Sequence, residues 1–432
     1  MTEAPAAFAD VLALASPLAA RFAAEGHRLY LVGGIVRDGL LGRSRDEGDL
    51  DATTAARPPE IKRIVSGLAD AVWSQGERFG TIGCTIGGQA FEITTHRAES
   101  YDEDSRKPTV SFGDDITADL ARRDFTVNAM AVDVGTGELI DPHGGRVDLD
   151  HRVLRTPLDP EIAFSEDPLR MLRAARFHAG YGLVPTPELE SAITALVDRM
   201  AIVSVERIRD EMEKLLLLDE PGPGLAMLVR TGLMARIVEE GDPLDEAAAR
   251  RLGARLGAVP ASPPARWAVF FDGFGREPGI SPVAWRRLRF SRRLADAVNA
   301  LSTRLPVADT GARIHPSAAS VRNEVRHIVG TDLTFDDVYD TVEGLRRLDG
   351  LPTDDLDELR ATHAALRASE PDLDDPQPAL DGVEVGELLG IDPGPAIGRA
   401  LDFLREIRWR EGIVPKAEAA DRLAAWWPTR DD

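Results

Sequence analysis

Two aspartates one residue apart, Asp49 and Asp51 in the segment GDLDATT, are the first residues with chemical promise. In an extended segment, residues two apart project to the same side. Two carboxylates side by side repel, and a divalent cation relieves that repulsion. Mg²⁺ is held by one or two carboxylates together with substrate phosphates, so a DxD pair suits metal-assisted phosphoryl transfer. An isolated DxD also suits an Asx-rich turn, and its neighbours decide between the two. Just upstream, Leu31-Val32-Gly33-Gly34-Ile35-Val36-Arg37-Asp38 carries a strand pattern into two glycines and then a helix pattern. Glycines let the backbone approach a ligand closely, and a helix N-terminus offers free N–H groups to an anion. Arg37 follows Gly34 by about one helical turn and could reach the same anion.

Two further clusters follow. Arg122-Arg123-Asp124-Phe125-Thr126-Val127-Asn128 sets two cations, an acid and an amide just before a strand-like run, which suits triphosphate and ribose hydroxyls. Glu166-Asp167-Pro168-Leu169-Arg170-Met171-Leu172-Arg173-Ala174-Ala175-Arg176 is a helix pattern. If all of it is helical, Asp167, Arg170 and Arg173 share one face at a spacing of three, with Arg176 close by. A carboxylate beside a guanidinium offers acceptors and donors that can pair with a base edge. The same spacing also serves a salt-bridged surface helix.

These residues need elements to hold them. Residues 1 to about 150 alternate strand-like and helix-like patterns: Arg28–Val32, Phe91–Thr95 and Thr126–Val134 read as strands, Ile35–Leu41 as a helix. From Asp159 onward the chain reads as helical, through DPLRMLRAARFHAG, PELESAITALVDRM and VERIRDEMEKLLLL. Pro221-Gly222-Pro223-Gly224 reads as a turn or helix break, the Ala-, Gly- and Pro-rich stretch 242–264 as a linker, and the acidic stretch 354–378 as an exposed connection. Val383–Trp427 reads as two or three short helices.

The 432 residues suggest two to four domains, and 43% hydrophobic with 29% charged residues is ordinary globular composition. No apolar run approaches the roughly 20 residues that span a bilayer, and no basic segment precedes the apolar N-terminal stretch, so neither a membrane protein nor a signal peptide is expected. Cys84 is the only cysteine, which excludes an internal disulfide. Together these point to the cytoplasm. The net charge of −22 is awkward for a partner made of phosphates, yet residues 151–300 balance 21 basic against 21 acidic groups. Within them begins a run with Arg286, Arg287, Arg289, Arg292, Arg293 and Arg304 and only Asp296 as an acid. That run reads either as a solvated helix face or as a surface contacting RNA phosphates.

The ordered motifs LVGGIVRDGLLGR, DLDATT, FEITTHRAESY, RRDFTVNAM, DPHGGRVDL, EDPLRMLRAARF and VERIRDEMEKLL resemble the class II nucleotidyltransferases, the branch of CCA-adding tRNA enzymes and bacterial poly(A) polymerases. The resemblance covers roughly residues 28–218, and VGELLGIDPGPAIGRALDFLREIRWREGIVPKAEAADRLAAWW resembles the C-terminal part of the bacterial enzymes. It implies an α+β fold: an N-terminal nucleotidyltransferase head, polymerase β-like with a small mixed sheet (1–155), then an all-α neck with the base template (156–235), body (236–350) and tRNA-binding tail (351–432). It implies two Mg²⁺ ions on Asp49 and Asp51 and triphosphate contacts from Gly33, Gly34 and Arg37. Ribose and phosphate would meet Arg123, Asp124 and Asn128. Asp167 and Arg170 would form an amino-acid template for CTP or ATP, supported by Arg173 and Arg176. Glu92 is a candidate third carboxylate, and Arg97–Phe112 resembles a mobile loop used in switching nucleotides. The expected activity is addition of CMP, CMP and AMP to a tRNA 3′ end. Poly(A) synthesis, CC-only or A-only addition, a non-tRNA substrate and a silent RNA-binding paralogue remain alternatives.

Two departures stand out. The spacing from Gly42 to Asp49 is about two residues longer than in the family pattern, with Asp46 and Glu47 as rival ligands. The segment Ala268–Arg276 (AVFFDGFGR) resembles a degenerate form of a phosphohydrolase HD helix, with Asp272 in the histidine position. No phosphohydrolase activity is expected from it.

Overall fold

The computed structural model describes residues 2–3, 8–43, 48–98, 111–238, 243–275 and 286–429. Asp46, Glu47, Arg276 and most of the Arg97–Phe112 loop lie outside these residues. The chain forms two compact units, Met1–Glu211 with Pro223–Ile237, and Met212–Gly222 with Val238–Asp432.

The first unit is built on an eight-stranded mixed sheet. Its strands are β1 (Thr2–Glu3), β2 (Leu29–Val32), β3 (Leu50–Thr54), β4 (Ala71–Trp73), β5 (Thr81–Ile86), β6 (Gln89–Thr95), β9 (Ala131–Asp133) and β10 (Glu138–Ile140), in the order β1-β10-β9-β2-β3-β6-β5-β4. A separate ribbon joins β7 (Arg97–Ala98) to β8 (Ser111–Phe112). Among the described residues, the only parallel pair of the large sheet is β3 with β6, where Asp51 lies opposite Glu92. Leu29, Leu31, Leu50, Phe91 and Ile93 are buried in the core, and β2 is buried on both faces because Tyr30 and Val32 are covered as well. Each contributes roughly 1.5–3 kcal/mol through lost contact with water.

Helices complete this unit: α1 (Ala9–Ala24), α2 (Gly34–Leu40), α3 (Pro58–Val65), α4 (Ile116–Ala121), α5 (Gly145–Asp150), α6 (Pro160–Glu166), α7 (Leu169–Tyr181), α8 (Pro187–Leu196) and the start of α9 (Val205–Leu216). α6 begins on Asp159, whose side chain accepts the Glu161 N–H, and α8 on Thr186, which accepts that of Leu189. Thr126–Val134 is not one strand. Thr126–Asn128 is a 3-10 turn, and the strand is confined to Ala131–Asp133. The backbone closes on itself there: the Asn128 N–H donates to the Phe125 carbonyl and the Ala129 N–H to that of Thr126, both at 2.9 Å, and Asn128 Nδ2 donates to Asp124 Oδ1 at 2.9 Å across the turn.

The second unit is helical. Two stretches expected to be irregular are helices in it. Glu246–Ala258 begins on the Asp245 cap, and its small residues are there for contact: a Cβ on Gly253 would lie 2.2 Å from Gly222 Cα. Asp354–Ser369 buries Leu356, Leu359 and Leu366 beneath its acidic surface. Acidic composition therefore masked an apolar stripe at helical spacing. The helix Pro263–Asp272, home of AVFFDG, is buried along Trp267, Phe270 and Phe271, which cluster with Phe274 and Phe290. Asp272 accepts a hydrogen bond from Arg255 at 3.2 Å. No described helix is long and apolar enough to cross a membrane.

Candidate functional site

The site is assembled on the middle of the large sheet. β2 ends at Val32 and the chain turns through Gly33, whose φ of +74° falls in the left-handed region that favours glycine. A Cβ there would also press on Arg123 Nη1 at 3.3 Å. The two predicted elements, glycine turn and RRD cluster, are therefore neighbours. α2 runs over Gly34–Leu40, one residue ahead of the expected Ile35–Leu41 at each end.

The carboxylates come next. Asp49 precedes β3 and is exposed; Asp51 lies within β3, and its buried neighbours Leu50 and Ala52 anchor the strand on both sides. Asp51 is accessible to water yet closely flanked by protein. Burial pushes its carboxyl above the usual range, and the charge of Asp49 adds to that while Arg123 opposes it. Glu92 is raised too, by burial and then by the charges of Asp51 and Asp49. Three carboxylates thus share one electrostatic neighbourhood with one guanidinium against them. Among the described residues no three His, Cys, Asp or Glu side chains form a closed metal cage. An open set of carboxylates completed by substrate phosphates is the donor arrangement that Mg²⁺-type ions use, so the residues fit a divalent cation.

A second feature is a chain of buried polar contacts leading away from the glycine turn. Arg37 is 6% exposed. It donates to Asp38 through Nε and Nη2, to Asn128 Oδ1 through Nη1 at 2.6 Å, and to Tyr181 Oη through Nη2 at 2.5 Å, while its guanidinium lies 4.1 Å from the Tyr181 ring centre. Asn128 passes the chain to Asp124, and Arg173 grips Asp124 Oδ2 through Nε at 2.9 Å and Nη2 at 2.6 Å. Burial alone would push the Asp124 carboxyl up. The Arg173 charge and hydrogen bonds from Asn128, Arg173 and the Phe125 N–H hold it below the usual range instead. Glu211, buried on α9, joins Arg173 to Arg176. Gly33, Gly34, Arg37, Arg123, Asp124, Asn128, Arg173 and Arg176 are thus brought together, although Arg37 faces protein rather than an open surface.

Asp167 and Arg170 differ from expectation. The helix begins at Leu169, after Pro168, and Asp167 lies outside it with φ −140° and ψ 96°. A residue before proline is pushed toward extended backbone, so one continuous helical face is not available. Asp167 Oδ1 accepts the Leu169 N–H at 3.2 Å and Oδ2 accepts Arg207 Nη2 at 2.8 Å. Arg170 donates to the Ala163 carbonyl, to Glu166 and, at 2.6 Å, to the Arg122 carbonyl. Asp167 accepts the Leu169 N–H at the start of α7, and Arg170 lies in the first turn of the same helix.

Sequence reasoning missed Tyr181, Glu211 and Arg207. The last two sit inside VERIRDEMEKLL, but helical spacing alone does not say which side chain turns inward. Tyr181 ends α7 with no local pattern to single it out. In the second unit, Arg292 pairs with Asp296 at 3.7 Å and Arg293 with Asp332, both with exposed side chains. Arg289 has φ of 51° between buried Leu288 and Phe290. Arg286 and Arg287 are helical, and the Arg289 N–H donates to the Arg286 carbonyl at 3.1 Å.

The mixed sheet with paired carboxylates beside a glycine turn defines a nucleotidyltransferase. Residues 29–155 match the family described as the poly A polymerase head domain, and residues 182–244 match the probable RNA and SrmB-binding site of polymerase A. The chain is 34% identical over 413 residues to the CCA-adding enzyme of Geobacillus thermodenitrificans, covering 93% of each chain. It is 33% identical to that of Geobacillus stearothermophilus, covering 94% of each. The crystal structure of the Bacillus stearothermophilus CCA-adding enzyme with CTP superposes with a TM-score of 0.73 at 28% identity over 98% of each chain. The chain belongs to the CCA-adding enzyme family. Nucleotidyltransferases of this family ordinarily work with divalent metals.

Proposed function

We propose that the protein adds CMP, CMP and AMP, without a nucleic-acid template, to the 3′ end of tRNA from CTP and ATP. One observation carries the chemistry: Asp51 and Glu92 lie side by side on β3 and β6, with Asp49 adjacent and Arg123 between them and the glycine turn. The family's near full-length relatives supply the substrate class. The terminal tRNA hydroxyl attacks the α-phosphorus of the bound nucleotide and gives its proton to solvent; a new P–O bond forms as the bond from that phosphorus to the α–β bridging oxygen breaks, and pyrophosphate leaves with its electron pair. Asp49 and Asp51 would hold two Mg²⁺ ions, which supply charge for the attacking and leaving oxygens. The Gly33-Gly34 turn leaves room for the triphosphate, and Arg123 faces it. Arg37, committed to Asn128, Asp38 and Tyr181, orients that turn and the Asp124–Asn128 pair, which with Arg123 meets ribose and phosphate. Arg173 and Arg176 brace the nucleotide. Positioning and charge supply most of the rate in such a displacement.

Asp167 and Arg170 read the base. The matched regions support a head over 1–155 and a neck over 156–235; a body over 236–350 and a tail over 351–432 are assigned to tRNA, with Arg286, Arg287, Arg289, Arg292 and Arg293 on the phosphate side. The setting is the cytoplasm, where tRNA and nucleoside triphosphates occur. The test is nucleotide omission with tRNA lacking CCA. CTP alone adds two residues, ATP alone adds none, and the pair adds three. Long tails from ATP alone indicate a poly(A) polymerase, and arrest after CC with both nucleotides present indicates a partial enzyme; either result overturns the proposal.

A further inference from the structure

We infer that Arg207 is a positioning residue that sets nucleotide choice by clamping Asp167. The inference rests on the reading of Asp167 as the base-reading carboxylate. Cytosine and adenine share an exocyclic amine on the edge they present, N4 and N6, where uracil and guanine carry the carbonyls O4 and O6. At neutral pH a carboxylate offers acceptors alone. Held at one place, it accepts from the amine of C or A and repels the carbonyl of U or G. One acceptor therefore serves both correct nucleotides, provided it cannot swing aside.

The geometry provides two anchors. The Leu169 N–H holds Oδ1 at 3.2 Å, a long bond from an immediate neighbour. Arg207, forty residues away in the first turn of α9, holds Oδ2 at 2.8 Å. Two acceptor lobes are thereby used, and one remains on each oxygen for a base. Arg170, the nearest conventional partner, is occupied by the Ala163 and Arg122 carbonyls and Glu166. Without Arg207 the carboxylate keeps only the local bond and turns about its side-chain torsions. The side chains of Arg207 and Asp167 are 52% and 32% exposed, so the clamp is a tuning element of moderate size.

The experiment measures kcat/KM for CTP and UTP on tRNA lacking CCA, in the wild type, Asp167→Ala, Arg207→Ala and Arg207→Lys, with thermal midpoints as a check on folding. Asp167→Ala lowers the CTP:UTP ratio on the order of 100-fold. Arg207→Ala lowers it about fivefold, the upper end for a half-exposed ion pair, and Arg207→Lys recovers most of that loss. A merely structural or RNA-contacting Arg207 would depress both nucleotides equally and leave the ratio unchanged. An unchanged ratio in Arg207→Ala, with a collapsed one in Asp167→Ala, overturns the clamp alone. An unchanged ratio in Asp167→Ala removes the base-reading assignment itself.

Discussion

Two carboxylate clusters, one around Asp51 in the head and one around Glu370 in the helical unit, handle charge in opposite ways. In the helical unit, Glu370 is 5% exposed and closed on both oxygens: Arg322 Nη2 reaches Oε1 at 2.6 Å, and Arg408 binds Oε2. Burial alone would raise that carboxyl, but its hydrogen bonds to the two arginines hold it below the usual range. Arg346, fully buried, is met by Asp355 at 2.7 Å and by backbone carbonyls. In the head, Asp51 and Glu92 stand beside each other, and burial pushes both upward, with neighbouring carboxylate charges adding to it. A closed charge cluster serves the fold. An open one costs stability and is retained where a cation and a triphosphate complete it.

The largest effect that tests this contrast is chemical. Asp49→Ala and Asp51→Ala each reduce CMP transfer by at least about 10³-fold in single-turnover assays, while tRNA binding measured by filter retention is unchanged. Loss of binding together with activity would instead class these residues with Glu370. Next comes the closed cluster: Glu370→Gln leaves Arg322 and Arg408 facing each other and costs about 3–5 kcal/mol in urea unfolding. Arg170→Ala is expected to lower CTP-over-UTP discrimination more than it lowers turnover, read as separate kcat and KM values.

The smallest effect has opposite signs at Glu92 and Glu370. Glu92 titrates above its unfolded value, so the unfolded chain releases its proton first, and stability falls as pH rises through the ordinary carboxylate range. Glu92→Gln removes that loss, and its thermal advantage over the wild type, measured in EDTA, appears as pH rises to neutrality. Glu370 titrates below its unfolded value; its contribution is present above the ordinary carboxylate range and disappears as pH falls through the lowered one. Parallel pH profiles for the two substitutions would erase the distinction.

How much of this was readable in advance follows the same line. Local signals were legible: the glycine turn, the extended DxD segment whose second aspartate falls on β3, and the helical run that begins near Asp159. The Asp51–Glu92 pairing depends on strand register, which no local pattern supplies. Asp167 leaves the helix because proline follows it, a rule present in the sequence that helical periodicity overrode. The stretches around 246–258 and 354–369 were misread because small and acidic residues hid their apolar stripes. Tyr181, Glu211 and Arg207 act over 144, 35 and 40 residues of chain, distances at which type and spacing carry no information.

The most direct test is CMP transfer to tRNA lacking CCA during a Mg²⁺ titration from EDTA, for the wild type and Asp51→Asn side by side. Transfer by the wild type should rise from none to saturation, and Asp51→Asn should stay silent at every concentration while holding tRNA equally well. Equal rates for the two proteins, or wild-type transfer in EDTA, would contradict the open carboxylate pair as the seat of the chemistry.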